Sequence, residues 1–572
     1  MGEEIKMDSL NKVERKASRS SKSNLPNLFM YWVTIVGVLG ITDQAAAFKL
    51  DTQPEWQVRW DNTVLYNLGI RAQKIQDSIG NNPISSEGDY RFPNRGDVVT
   101  NRISNLSEFD AVYQGKYGVR VSASVWRDFA YNDDEVKNNP RLPQALYGSY
   151  SSGSYSNYTK RYYWQGGEFL DAFVFTNFEL AGQPSSIRVG RLTQYWGNAL
   201  FYGGLGINYA QNPSDSIKGL TAPGSKAKEL AMPRAQLLFQ TSLTDTLSMA
   251  AQVFGEFRPN RLPEGGTFLN LAGPAFVGPD RFALGPGFFL PRGNDVKPRA
   301  GADYGLKLAW APEWLEGGNI GFYYRELSET QPWLLVTPTL SEYHLAYGKD
   351  VTLYGISLDK SIGDFSTGFE LSYRKNTALN SVNTALDPTA SAGATGNTVQ
   401  FIANGFYSLK SNALWDTGAL LFEIGYQRKL ATTSNQAMEV VENSIACPGD
   451  VRDGCSTKQS WGASVLFNPQ WLSVAPGVNL DMPIFIQYQF KGNTATRSGA
   501  NKEGNAFYSV GLHALVRARY DLTVAYNGFH ARTNGKSTVG MAGSYDSDDL
   551  GGNGFGFWND RGWLSFTFGT TF

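Results

Sequence analysis

The sequence has few of the residues that build metal and redox centres. Its 572 residues include 2 Cys and 3 His, which argues against a His/Cys metal site or a redox enzyme, so we predict no metal and no cofactor. Charged residues make up 18% of the chain, below the roughly 25% of average soluble domains. The 51 basic and 52 acidic residues nearly cancel. This balance argues against a generic nucleic-acid binder, which carries a basic excess.

Long hydrophobic runs are also scarce. The apolar run over 28–41 is shorter than the roughly 18 residues that a spanning helix needs. It follows a polar segment with several Lys and Arg and is followed by Ala-Ala-Ala, the small-residue pattern of a cleavage site. We therefore predict a secretory signal peptide over 1–47 and a mature chain over 48–572. An uncleaved signal anchor is the alternative.

Glycine, aromatic residues and period-two alternation are abundant instead. The chain has 61 Gly, and 13% of its residues are aromatic. Within 365–374, Phe369 and Leu371 fall on one face while Glu370 and Arg374 fall on the other, which is the pattern of a β-strand. Several such runs have about ten residues, the length that crosses a bilayer when tilted. The second face carries polar side chains, which are unfavourable in the apolar core of a β-sandwich but favourable in an aqueous lumen.

Counting these segments predicts the architecture. We find 18 candidate strands and expect between 16 and 20, and bacterial barrels have an even number. Short turns alternate with long connections, as in outer-membrane barrels. We predict an all-β fold: a single large antiparallel transmembrane β-barrel with long extracellular loops, located in the bacterial outer membrane. The predicted strands are 56–71, 103–113, 117–128, 168–180, 186–193, 234–242, 247–257, 302–311, 318–326, 350–361, 365–375, 397–409, 417–429, 461–468, 481–491, 505–517, 520–530 and 563–572.

The end of the chain carries a separate signal. Leu564, Phe566, Phe568 and Phe572 fall on one face of an alternating segment. A terminal aromatic residue that closes such a strand resembles the signal that bacteria use to insert outer-membrane barrels. We therefore expect the barrel-assembly machinery to be a partner through this strand, and outer-membrane lipid to surround the barrel.

Several stretches resemble a known family. They are 56–64 (WQVRWDNTV), 96–110 (GDVVTNRISNLSEFD), 118–126 (GVRVSASVW), 188–191 (RVGR) and 222–229 (APGSKAKE). Together they are similar to the proteobacterial outer-membrane barrels catalogued as domain of unknown function 1302. The resemblance implies a barrel encoded near inner-membrane exporters and near genes for degrading hydrophobic compounds. It implies envelope transport of apolar molecules, an exporter system as partner, and no catalytic residue.

Charged residues on the polar faces are the candidate lumen residues. A lumen needs charge for solvation, arginines pair with carboxylates across strands, and rings of charge tune ion selectivity. No catalytic residue is predicted. His513 and Ser509 share a face but lie four residues apart, about 13 Å along a strand, too far for a base to activate a nucleophile. The predicted ligand- or lumen-binding residues are Glu108, Asp110, Arg120, Glu370, Arg374, Glu423 and Arg517.

One long connection is unusually apolar. The segment 258–301 is rich in Pro and Gly, which prevent a regular helix or strand, and connections this long are uncommon unless functional. We predict that it folds into or over the barrel mouth and offers apolar contacts to a ligand, with the connection 196–233 packed against it. A compact outer loop is the alternative. The aromatic residues singled out are Phe268, Phe276, Phe282, Phe288 and Phe289.

The two cysteines lie together in another long connection. Cys447 and Cys455 are eight positions apart within 430–460, with Pro-Gly between them. Export takes the chain through an oxidising periplasm, so we predict a disulfide. The alternatives are two free thiols or a metal clip, for which the sequence places no further ligands nearby.

These patterns favour a transport function. We predict an outer-membrane channel or transporter that passes a hydrophobic or amphiphilic small molecule, and no enzyme activity. The alternative is a surface adhesion protein or an outer-membrane hydrolase built on a barrel.

Overall fold

The computed structural model describes most of the chain from residue 54 onward. The described residues are 48–49, 54–83, 86–131, 133–270, 276–382, 389, 391–499, 501–532, 537–539, 546–548 and 556–572. The predicted signal peptide, 1–47, lies outside them.

Eighteen antiparallel strands form one closed barrel, in which β18 pairs with both β17 and β1. This confirms the predicted fold class and strand number. β15 has two parts because Pro483, between them, has no N–H to donate to the ladder. The strands are β1 Trp56–Arg71, β2 Val98–Tyr113, β3 Tyr117–Asp128, β4 Gln165–Leu180, β5 Gln183–Leu192, β6 Arg234–Ser242, β7 Leu247–Phe254, β8 Tyr304–Trp310, β9 Asn319–Leu327, β10 Val351–Ile362, β11 Phe365–Ala378, β12 Thr395–Leu409, β13 Thr417–Ser434, β14 Gln459–Ala475, β15 Val478–Asp481 with Ile484–Lys491, β16 Ala506–Val516, β17 Tyr520–His530 and β18 Trp563–Thr571.

Long and short connections lie at opposite ends of the barrel. Odd-numbered strands lead into long loops and even-numbered strands into short turns. In outer-membrane barrels the short turns are periplasmic and the long loops extracellular. The loops are L1 (72–97), L2 (129–164), L3 (193–233), L4 (255–303), L5 (328–350), L6 (379–394), L7 (435–458), L8 (492–505) and L9 (531–562).

The loops contain short elements of their own, and the described residues include no helix long and apolar enough to cross a membrane. The helices are Asp77–Gly80, Ser86–Arg91, Gln144–Tyr147, Asn157–Tyr163, Ser216–Thr221 and Ala227–Leu230. The 3-10 turns are Glu313–Leu315, Gln436–Met438, Val451–Asp453 and Gly556–Trp558. Loop strand pairs are Arg281–Gly285 with Phe288–Pro291, Trp333–Val336 with Tyr343–Ala346, and Ser537–Val539 with Asp546–Asp548, while Phe48–Lys49 pairs with β1.

The two faces of the wall differ as the alternation predicts. Outward apolar side chains are exposed, for example Leu371 at 51% and Val524 at 53%. Inward side chains are polar, yet Glu370 and Gln400 are only 2% and 1% exposed. The apolar outer belt and the closed ladder place the barrel in the outer membrane. At this level the lumen is packed with protein and is not the open aqueous space expected from the sequence.

Candidate functional site: the lumen and the loops that fill it

L3 runs through the barrel. It connects β5 to β6, yet residues 196–209 contact the lumen faces of β9, β11, β13 and β14. Residues 214–231 contact β1 to β4 and β18 on the other side. L3 therefore spans the lumen. We call 196–209 the plug and 214–231 the brace.

Two carboxylates on the wall hold the backbone of the plug. Glu370 on β11 and Glu423 on β13 each accept three backbone N–H groups, and the five consecutive donors from 198 to 202 all end on these two side chains. Hydrogen bonds to a carboxylate are charge-assisted and stronger than neutral ones. The donors are Asn198, Ala199 and Ile207 for Glu370, the last two at 2.9 and 2.7 Å, and Leu200, Phe201 and Tyr202 for Glu423, at 2.6, 2.8 and 2.6 Å.

Two arginines hold the carbonyl groups of the same segment. Arg374 on β11 and Arg325 on β9 are 0% and 1% exposed, and their charges balance those of the two glutamates. Four wall side chains thus satisfy backbone donors and acceptors that a loop inside a barrel would otherwise bury unpaired. Arg374 donates to Gly204 O at 2.9 Å and Gly206 O at 2.8 Å, and Arg325 to Ile207 O and Tyr209 O, both at 2.7 Å.

Glycines on the wall make room for the plug side chains. Glycine weakens a strand, and here each one stands where a Cβ would collide with the plug. A Cβ at Gly462 would lie 2.4 Å from Tyr202 Oη. The other pairs are Gly305 with Trp196 at 2.8 Å, Gly355 with Ile207 at 2.9 Å, Gly425 with Tyr202 at 3.0 Å and Gly368 with Asn198 at 3.0 Å.

The brace is held by side-chain ion pairs. Lys218 Nζ lies 3.3 Å from Glu168 Oε1 on β4. Arg261 of L4 lies 2.8 Å from Glu168 Oε2 and also pairs with Asp215 of the brace. These contacts join L3, L4 and the wall. Neither the plug nor the brace has an apolar pattern that distinguishes it in the sequence. The sequence analysis therefore did not predict that L3 lies in the lumen.

Three of the predicted lumen residues form one cluster below the brace. Arg120 on β3 lies 2.7 Å from Glu108 Oε1 and 3.6 Å from Asp110 Oδ1, both on β2. Asp171 on β4 is 3.6 Å from Arg120, and Lys228 of the brace pairs with Glu108. The structure therefore brings these residues together, but as partners of L3 and of each other.

Arg517 is placed differently from the prediction. It follows β16 in the turn 517–519, is exposed, and has a φ of 52°. Its N–H donates to Gly477 O in the neighbouring turn. The alternation of β16 ends one residue earlier, so the assignment of Arg517 to the lumen face of a strand is wrong.

L4 crosses the mouth of the barrel. It connects β7 to β8, yet Arg561 of L9, beside β18, donates to Phe268 O at 2.5 Å and to Asn270 Oδ1 at 2.6 Å. Tyr150 of L2 donates to Gly265 O at 2.9 Å. L4 therefore links loops from distant parts of the barrel. We call its described residues within 258–291 the cap.

The aromatic residues singled out in L4 are mostly packed within the loops. Phe268 and Phe276 are 3% and 6% exposed, and Phe268 joins an apolar cluster with residues of L1, L2 and L9. Phe282 contacts Tyr343 of L5 at 5.9 Å between ring centroids. Phe289 lies under the Arg281 guanidinium at 3.8 Å, and Phe288 is 52% exposed.

Two buried carboxyl groups lie in the cap region. Burial raises the pKa of Glu264 to about 8, although Gly278 N–H donates to it at 2.7 Å. Burial likewise raises the pKa of Glu87 in L1 to about 7, against hydrogen bonds from Ser149. Both groups therefore bind a proton close to neutral pH.

L7 contains the two cysteines, which the structure joins in a disulfide with Cα atoms 5.7 Å apart. Asn493 of L8 donates to the carbonyl oxygens of Val451 and Cys455, at 2.8 and 2.7 Å. The disulfide loop thus packs against the neighbouring loop L8.

A cavity of about 930 Å³ opens at the turn end of the barrel. Its walls are the ends of β4 to β8, and its inner end reaches Gln194 and Trp196 of L3. Nine of the nineteen lining residues are Ser, Thr, Asn or Gln, and the apolar ones include Trp196, Ala250 and Ala309. The plug therefore closes a space that is accessible from the periplasmic side.

The family model described as a protein of unknown function, DUF1302, matches residues 28–572. The chain belongs to this family. The resemblance seen in the sequence is thus confirmed over nearly the whole chain. Comparison with curated proteins gives no match.

Solved structures similar to this DUF1302 chain are distant in sequence. Pseudomonas aeruginosa OpdK with vanillate has 10% identity and a TM-score of 0.40, covering 90% of this chain and 98% of that one. Acinetobacter baumannii OccAB1 has 9% identity and a TM-score of 0.42, covering 92% and 99%. Pseudomonas aeruginosa OccD3 (OpdP) has 11% identity and a TM-score of 0.39, covering 90% and 91%.

Proposed function

We propose that this protein passes a small amphiphilic molecule across the outer membrane and that the plug is the barrier that must move. The observation that carries this proposal is a barrel of 18 strands, a size that can enclose an aqueous channel, whose lumen is occupied by its own loop. A purely structural barrel has no need of so large a lumen.

The way the plug is attached supports its movement. Glu370, Glu423, Arg325 and Arg374 bind peptide groups, which water can bind equally well when the segment leaves the wall. The barrel ladder closes through β18 and β1 without any contribution from L3. Displacing the plug therefore breaks loop-to-wall bonds and leaves the barrel intact.

The turn-end cavity supports an amphiphilic substrate over a purely apolar one. Its walls combine Trp196, Ala250 and Ala309 with many hydroxyl and amide groups. Ligand sites commonly have volumes of roughly 300–1,000 Å³ and pair apolar walls with a few polar groups. This cavity has about 930 Å³ and fits that description.

The surroundings of His513 favour passage over hydrolysis. Its Nδ1 lies 2.6 Å from Asp481 Oδ1 and its Nε2 3.3 Å from Asp521 Oδ1. Both ring nitrogens therefore face carboxylates, and neither is offered to a serine hydroxyl.

The location of the barrel in the outer membrane suggests its partners. Membrane lipid surrounds the outer belt, and we propose that the final strand engages the barrel-assembly machinery and that 1–47 directs export. An inner-membrane exporter would supply the substrate to the turn-end cavity. Co-purification of an exporter component with the mature barrel, at a level above that for an unrelated porin, tests the last point.

Efflux from liposomes tests the function. The wild-type protein should release an encapsulated amphiphile such as 4-phenylbutyrate faster than a sugar of similar size. Replacing 197–206 by a short Gly-Ser linker should raise the release of both. Correctly folded protein of either kind that releases no more than empty liposomes would contradict the proposal.

A further inference from the structure

The turn-end cavity has an unusual pair of groups at its inner end. Trp196 is the first residue of the plug and lines the cavity. Its side chain is 1% exposed, and its indole N–H has no acceptor. A buried donor without a partner is unfavourable and calls for an explanation. Its backbone N–H, by contrast, donates to Gln211 at 2.8 Å.

Lys307 on β8 lies close by. Its ammonium group is 5.7 Å from the centroid of the Tyr323 ring, and the Trp196 ring centroid is 6.2 Å from the same ring. Lys307 also lines the cavity. Asp359 on β10 is the carboxylate whose charge reaches this ammonium. The two groups form no ion pair among the described residues.

We propose that the cavity is a binding site for a small amphiphilic anion, whose charged head takes the ammonium of Lys307 and the indole N–H of Trp196. A carboxylate or sulfonate oxygen at the inner end would satisfy both donors together. The head group would lie against the first residue of the plug, and the apolar body would extend past Ala309 toward the opening. This inference names the substrate class of the proposed function and rests on it.

The charges at the site favour an anion over a neutral acceptor. A neutral carbonyl satisfies the indole N–H but leaves the ammonium without a charged partner in the lumen. An anion gains a charge-assisted hydrogen bond there, and such bonds are about twice as strong as neutral ones. At the rim, the positive charge of Lys116 is offset by the negative charge of Glu179. The preference for an anion over a neutral ligand therefore depends on Lys307 at the inner end.

The site is tested by binding, apart from transport. Wild-type protein in lipid nanodiscs is titrated with 4-phenylbutyrate and with the neutral 4-phenylbutan-1-ol, followed by ligand-observed NMR against empty nanodiscs. We expect the anion to bind at least about tenfold more tightly than the alcohol. Lys307→Met should remove this preference. Trp196→Phe keeps an aromatic ring but lacks the N–H, and it should weaken anion binding about threefold or more.

Lys349→Met is the matched control, because Lys349 is exposed in L5 at the other end of the barrel, and it should leave both affinities unchanged. Heat-modifiable mobility in gels verifies folding of each variant. Equal binding of the two probes to the wild type, or an unchanged preference in folded Lys307→Met, overturns the site. Selective binding without liposome release would leave the site standing and refute the proposed transport, and release without selective binding would do the reverse.

Discussion

The plug and the cap are both parts of long loops, yet different forces hold them. Wall side chains bind the backbone of the plug: Glu370 and Glu423 take its N–H groups, and Arg374 takes carbonyls. The cap is held mainly by other loops, through an aromatic cluster that includes Phe268. The comparison teaches that the wall must satisfy the peptide groups that an inner loop does not satisfy itself, whereas an outer loop builds a small core of its own.

The largest effect should come from releasing the plug. In Glu370→Gln with Glu423→Gln, each amide replaces a carboxylate that accepts three N–H groups. Hydrogen bonds to charged groups contribute about 1.5–3 kcal/mol each. The double substitution should therefore lower the free energy that holds the plug against the wall. We expect mean single-channel conductance to rise by a factor of about three or more.

Glu313→Gln is the control for this experiment, since Glu313 is exposed in a periplasmic turn. Planar-bilayer recordings of both proteins check the prediction. A folded double variant with wild-type conductance would show that the plug is fixed in the lumen.

Removing the cap should have a smaller effect on conductance. A Gly-Ser linker in place of 262–291 opens the mouth, but the plug still fills the lumen below it. We expect conductance to rise less than in the double glutamate variant, and the binding or permeation of apolar compounds to weaken. If both properties stay at wild-type values in folded protein, the cap has no part in passage.

A single methyl group on the wall should disturb the plug more weakly still. In Gly425→Ala the new Cβ would lie 3.0 Å from Tyr202 Cγ, so the tyrosine must shift. At Gly285, in the cap, a Cβ would meet no atom within 4 Å, which makes Gly285→Ala the matched control. We expect more frequent open events only in the first variant, and identical recordings of the two would argue against tight packing.

The smallest effect concerns pH and the cap alone. Glu264 has a pKa raised from 4.5 to about 8, so the folded cap holds a proton that the unfolded chain releases above its own pKa. The resulting stability is full below pH 4.5 and is lost as pH rises through about 8. The protection factors of amides in 260–270, which are corrected for the intrinsic pH dependence of hydrogen exchange, should be higher at pH 5.5 than at pH 8.5.

Glu264→Gln mimics the protonated side chain and should flatten this pH dependence. The plug has its glutamates paired with backbone donors, and exchange at 198–202 serves as the internal comparison. Equal pH dependence of the variant and the wild type would assign the effect to another group.

Much of the barrel could be predicted because its information is local. Alternation placed the ends of β1, β3, β6 and β17 at the residues where the structure has them. It also put Glu370 and Leu371 on opposite faces. Arg517 was misassigned because a strand and the turn after it can share one polar pattern, and the backbone leaves the strand there with a φ of 52°.

The loops were harder to predict because their positions depend on distant contacts. The apolar residues of L4 indicated that this segment packs against other parts of the protein, and in the structure Phe268 and Phe276 are buried there. The plug has a Gly-rich sequence that resembles an ordinary surface loop. Its place is decided by Glu423, more than 200 positions away along the chain.

The sequence by itself determined the barrel, its outward apolar face, its even strand number and its closing aromatic strand, since a strand that faces lipid on one side must alternate at every second residue. Only the tertiary structure decided which loop enters the lumen. That choice depends on whether wall glycines and charged side chains, brought together from many strands, match the peptide groups of one particular segment. Such a match exists only after the barrel has closed.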